Sequence, residues 1–123
     1  MQLVVPAHPD FLATVRAVAR SSAALTTLAV DDVEDLQIAV SEAASLLLPL
    51  VDPSGPRQLV LRVEASADGL LLSVSATCRV GAAPDRAGLG WIMLSALDPA
   101  VEISTGDDEV SITFSRSRTA PLA

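Results

Sequence analysis

The stretch DVEDLQIAVSEAASL, residues 32–46, decides how this chain is read. Within and just beyond it, Val33, Leu36, Val40, Ala43, Leu47 and Leu50 recur at three- and four-residue spacing. Such a spacing lines one face of a helix with an apolar stripe about four turns long. Asp31, Asp32, Glu34 and Asp35 crowd its first turn. Carboxylates there are expected to cap free backbone amides and to offset the positive end of the helix dipole. Asp52-Pro53-Ser54-Gly55-Pro56 then stops the helix, because two prolines remove amide donors. The stretch therefore predicts a long helix with one side laid on a core.

Toward the amino terminus, Gln2–Pro6 reads as a strand, and His8-Pro9-Asp10 as the entry of a helix running to about Ser21. Leu12, Val15 and Val18 or Ala19 mark its buried side, while Arg16 and Arg20 fall one turn apart on a shared face. Toward the carboxyl terminus the period changes to two. Leu59, Leu61 and Val63 alternate with Val60, Arg62 and Glu64, and Leu70, Leu72, Val74 and Ala76 alternate with Leu71, Ser73 and Ser75. Asp68-Gly69 between them is a hairpin signal. Cys78 to Ala87 is irregular, and Gly88-Leu89-Gly90 opens a short apolar helix, Trp91 to Leu97. Glu102 to Thr105 and the alternating Val110, Ile112 and Phe114 flank a turn at Gly106-Asp107-Asp108. The predicted order is β-α-α-β-β-α-β-β. The expected fold class is α/β in the α+β sense: a two-layer sandwich with a mixed, mainly antiparallel sheet and helices on one face. Residues 1–115 are expected to form a single domain, and 116–123 a frayed tail.

Composition narrows the function. A hydrophobic fraction of 50% in 123 residues is enough for one core. A net charge of -7 disfavours nucleic acid and anionic membrane as direct partners and suits a basic or mixed-charge protein surface. The richest apolar run, Leu46 to Val51, is short and broken by Pro49, so no membrane span is expected, and the first residues do not read as a signal peptide. The expected compartment is the cytoplasm. Cys78 is the single cysteine, which excludes an intrachain disulfide. All eight basic side chains are arginines, so no lysine serves as phosphate binder or Schiff base.

The run Leu36-x-x-Ala39-Val40-Ser41-Glu42-Ala43 resembles the signature helix of the RsbW-type anti-sigma factors and serine kinases, within the histidine-kinase-like (GHKL) ATPase fold. Met1 to Ala7 is similar to their first strand, and Gly88-Leu89-Gly90-Trp91-Ile92 to the glycine turn that opens their last helix. The resemblance spans nearly the whole chain in the same order. It implies a homodimer that holds an alternative sigma factor of the sigma-B or sigma-F type and is relieved by an anti-anti-sigma protein of the STAS class. It also implies positions for ATP and magnesium, and there the chain departs from the family. Glu42 stands at the catalytic glutamate, but Leu46 stands where an asparagine holds magnesium, and leucine has no oxygen to offer a hard cation. Ala76-Thr77-Cys78-Arg79-Val80 stands where an Asp-x-Gly-x-Gly loop reads adenine. Each lost polar contact costs roughly 1 to 3 kcal/mol, against about 8 kcal/mol for micromolar affinity.

The candidate residues have plain readings beside functional ones. Glu42 is a surviving catalytic base if kinase activity persists, or a solvated side chain paired with an arginine. Gly88 and Gly90 are the remnant of a phosphate turn, or glycines needed for steric reasons. Arg16 and Arg20 bind a partner's carboxylates, or form a solvated face. Trp91 and Leu46 read as core, and Cys78 as packed at a strand end. No metal site is expected, and no cofactor, with ATP and magnesium relevant only if the altered site still works. The leading expectation is an anti-sigma factor without kinase activity; the alternatives are an active serine/threonine kinase and a scaffold on the same fold.

Overall fold

The computed structural model describes residues 1–66 and 68–117. Five strands and three helices follow the expected order: β1 (Gln2–Pro6), α1 (Leu12–Ala23), α2 (Val30–Leu47), β2 (Gln58–Ser66), β3 (Gly69–Thr77), α3 (Leu89–Leu97), β4 (Glu102–Thr105) and β5 (Glu109–Ser117). The strands form one sheet in the order β1-β2-β3-β5-β4, and each neighbouring pair is antiparallel. The fold is the expected α+β sandwich, with the sheet antiparallel at every pairing among the described residues where a mixed sheet was expected.

The period-two pattern works as anticipated. Leu59, Leu61, Val63, Leu70, Leu72, Val74, Ala76, Val110, Ile112 and Phe114 are buried on the helix-covered face. The pairings Leu61 with Val74 and Val74 with Ile112 carry that apolar row across three strands. Opposite it, α1 contributes Val15, Ala19 and Ala23, and α2 contributes Leu36, Ala39, Val40, Ala43, Ala44 and Leu47. α1 lies over β2 and β3, α2 over β3 and β5, and α3 packs beside α2. Small residues on the inner faces, such as Ala39, Ala43 and Ala44, allow helix and sheet to approach closely.

Four details differ from expectation. The acidic first turn of α2 supplies no cap, since the N-cap is Ala29 with no side-chain bond; Asp31 and Asp32 act only on the dipole. The α-helix ends at Leu47, because Pro49 forces a 3-10 turn over Leu48–Leu50 that leaves Leu50 half-buried. Ser66 pairs with Gly69, so Gly69 is the first residue of the return strand and not a turn residue. Finally, β5 runs through Ser117: Arg116 is part of the sheet and pairs with Asp35 of α2 at 3.0 Å. The remaining tail, 118–123, lies outside the described residues. No helix among the described residues is long and apolar enough to cross a membrane.

Candidate functional site

α2 and α3 meet along a seam where three of the candidate positions converge. Gly88 is the N-cap of α3, in extended conformation, and Gly90 is the second residue of the helix. A β-carbon placed on Gly90 would lie 3.3 Å from both Glu42 Oε2 and Leu46 Cδ2. Glycine at 90 thus lets α3 settle against α2, and Glu42 and Leu46, one turn apart, form the wall it settles on. Both are half-buried. Gly88 faces a different neighbour. A β-carbon there would stand 3.1 Å from Asp85 Oδ2, while Asp85 Oδ1 accepts a 2.9 Å bond from the Ala87 amide. A carboxylate of the chain therefore stands beside the turn that leads into α3, bonded to the Ala87 amide just before the helix. The Arg86 guanidinium sits 5.3 Å from the centroid of the half-buried Trp91 ring, within cation–π range.

These residues do not fit a magnesium-bridged triphosphate. Such a group needs several oxygen ligands on the metal and room for anions at the glycine turn. Here the seam offers one carboxylate, Glu42, beside the apolar Leu46, and a second carboxylate, Asp85, stands at Gly88. Nor does the segment after β3 line a base pocket. Ala76 and Thr77 finish the strand, and Cys78 is buried, bridging Val51. Arg79 donates its amide to the Leu50 carbonyl and its guanidinium to the Pro49 carbonyl, both at 3.0 Å. The segment is a clamp that ties the end of β3 to the turn after α2. Burial pushes the Cys78 thiol above its ordinary pKa, which makes it an inert, packed side chain.

On the other flank of α2, the two arginines part company. Arg16 is half-buried, and its Nη1 donates a 2.9 Å bond to Ser41 Oγ, so it fastens α1 to α2. Arg20 is exposed and makes no side-chain hydrogen bond or ion pair with a described residue. It borders a cavity of about 570 Å³ between the end of α1 and the start of α2, with Glu34 and Gln37 in the opposite wall and Leu28, Val30 and Val33 as apolar lining. A neighbouring cavity of about 340 Å³ shares Glu34 and Gln37 and reaches Arg16 and Ile38. The groove thus carries a free cation on α1 and an anion on α2. Glu34 and Gln37 were not anticipated as site residues. Glu34 reads in sequence as a dipole-compensating residue, and only the α1–α2 packing turns it toward Arg20's cavity.

No protein-family model and no curated protein matches this sequence. Among solved structures, the chain is similar to the crystal structure of the RsbU and RsbW domains of Rv1364c from Mycobacterium tuberculosis. The TM-score is 0.65 at 20% identity, over 98% of this chain and 33% of that one. The fold is RsbW-like. The chain spans about a third of the length of that neighbour, and the likeness is one of architecture.

Proposed function

We propose that this protein is an anti-sigma regulatory factor that sequesters an alternative sigma factor, is relieved by an anti-anti-sigma STAS protein, and works in the cytoplasm as a homodimer without kinase activity. The observation that carries the reading is the α2–α3 seam, where Gly90 meets Glu42 and the apolar Leu46. An RsbW-like scaffold whose metal position is apolar retains a partner-binding surface but offers little to ATP. Control then rests on competition between protein partners instead of phosphorylation.

The groove beside Arg20 supports this reading as the partner face. An unpaired guanidinium opposite Glu34 and Gln37, over an apolar floor, suits a mixed-charge segment of a partner. Binding there would occlude the sigma surface needed by RNA polymerase. Calorimetric titration with ATP and magnesium tests the first half, and micromolar affinity would overturn it. Pull-down of sigma factors without nucleotide tests the second; recovery of none would sink it.

A further inference from the structure

The sheet ends in two edge strands, β1 and β4, and they are finished differently. On β1, Pro6 has no amide to offer, and its carbonyl is taken by the His8 amide at 2.9 Å. At the other side β5 runs on past β4, and there the Ser115 amide is closed off by the Asp98 carboxylate at 3.0 Å. β4 itself carries no proline, and no described residue bonds to its outer side.

The ladder register tells which groups of β4 look outward. The Gly106 amide bonds to the Glu109 carbonyl at 2.8 Å, so 106 and 109 are a bonded pair. Bonded and non-bonded pairs alternate along an antiparallel ladder. Ser104–Ser111 and Glu102–Thr113 are then bonded pairs, and Ile103 and Thr105 turn both amide and carbonyl away from β5. The next outward amide, that of Val101, is taken by the Asp98 carbonyl at 3.1 Å. Ile103 and Thr105 thus hold out a donor and an acceptor each, the arrangement that a further strand extends.

Charge selects that strand. Glu102 and Glu109 lie on the uncovered face of the sheet with Ser111 and Thr113, opposite the buried Val110, Ile112 and Phe114. Asp107 and Asp108 stand in the turn beyond. All four acids are exposed and have no ion-pair partner among the described residues. Two β4 edges brought together would set these carboxylates against one another, so the acids bar self-pairing. A strand with cations at alternate positions meets the opposite condition. Its cations fall on the open face beside Glu102 and toward Glu109, while its intervening apolar residues lie beside Ile103, which packs on the core.

We infer that the β4 edge docks an extended, basic segment of another protein, which extends the five-stranded sheet and carries arginine or lysine at every second position. With only Ile103 and Thr105 offering backbone groups, the contact is weak and depends on salt. It lies on the sheet edge, away from the groove between α1 and α2, and does not rest on sigma-factor capture: either can fail without the other.

The probe is a peptide about seven residues long that alternates valine and arginine, titrated into the full chain and followed by amide NMR. Binding is expected to weaken as salt is raised and to slow hydrogen exchange at the Ile103 and Thr105 amides, leaving Ser104, already bonded to β5, unchanged. A peptide of the same composition with its valines and arginines in separate blocks is expected to bind about tenfold more weakly or worse. Thr105→Pro removes an outward amide that the β4–β5 ladder does not use, and is expected to weaken binding of the alternating peptide about tenfold or more. Because a proline can disturb a strand, Glu102→Arg at an exposed position serves as a second variant, with a comparable loss expected and an unchanged melting temperature. No binding by the alternating peptide, equal binding by the block peptide, wild-type affinity in both variants, or slowed exchange on β1 in place of β4 would each overturn the inference.

Discussion

Gly90 and Leu46 are packed so closely that a β-carbon at position 90 would stand 3.3 Å from the Leu46 Cδ2 atom. The glycine and the leucine are thus one packing unit, and their substitutions should not add. Gly90→Val alone is expected to destabilise by about 1 to 2 kcal/mol through overpacking. Leu46→Ala alone is expected to cost about 1 to 2 kcal/mol, below the range for a fully buried leucine because this one is half-buried. With the leucine truncated, the valine gains the space it lacks, so the double variant should be more stable than the sum by about 0.5 kcal/mol or more. Urea denaturation of the four proteins measures this, and additivity within error would refute the close contact.

Arg16 and Arg20 share a helix face but have different work. Arg16→Ala removes the bond to Ser41 and is expected to cost about 0.5 to 1.5 kcal/mol, as is Ser41→Ala. Arg20→Ala should leave stability within about 0.5 kcal/mol of wild type, since the side chain is exposed and unbonded. Arg20→Glu is expected to weaken capture of a partner by tenfold or more, about 1.4 kcal/mol, with an unchanged melting temperature. Thermal melts and a partner-binding titration separate the two arginines. Equal losses of stability at both positions would mean that neither is reserved for binding.

Gly69 illustrates where sequence patterning misleads. Asp68-Gly69 looks like a turn dipeptide, yet Gly69 pairs with Ser66 and also with Ser117 of β5. A β-carbon there would lie 2.3 Å from the Arg116 carbonyl oxygen, so the glycine is required by the close approach of β5 and not by a left-handed backbone. Gly69→Ala should therefore destabilise by about 2 kcal/mol or more, whereas a turn glycine in this hairpin would tolerate asparagine. Urea midpoints for Gly69→Ala and Gly69→Asn should both fall. Retention of stability by the asparagine variant would restore the turn reading.

The same contrast explains what could be read beforehand. Alternation from Leu59 to Val63 and from Leu70 to Ala76, and the helical stripe through Leu36, Val40 and Ala43, are local signals, and the sheet and α2 follow them. The extension of β5 to Arg116 could not be read so, because its partners Asp35 and the Leu97 carbonyl are distant in sequence. The convergence of Glu42, Leu46 and Gly90 was accessible only through the family resemblance, since nothing in the spacing of 42 and 90 brings them together. Arg20's groove with Glu34 and Gln37 needed the α1–α2 packing. The clamp of Arg79 on Pro49 and Leu50 had no local signature at all.

Cys78 provides a test of that clamp through pH. Burial between β3 and the turn after α2 raises its thiol pKa above the ordinary 9.0, because the thiolate is poorly solvated there. A group whose pKa is raised by folding contributes fully below its unfolded value, and that contribution is lost as pH rises through the folded value. Stability should therefore be flat with respect to this group at neutral pH and decline on the alkaline side of 9.0. Cys78→Ala is expected to lower stability at neutral pH by about 1 kcal/mol through lost packing and to remove that part of the alkaline decline. Thiol labelling near pH 8 should be slow in the native protein and fast in urea, since attack requires exposure of the thiolate. Rapid labelling under native conditions would show that the end of β3 opens readily, contrary to a clamp made by Arg79 and the Val51 bridge.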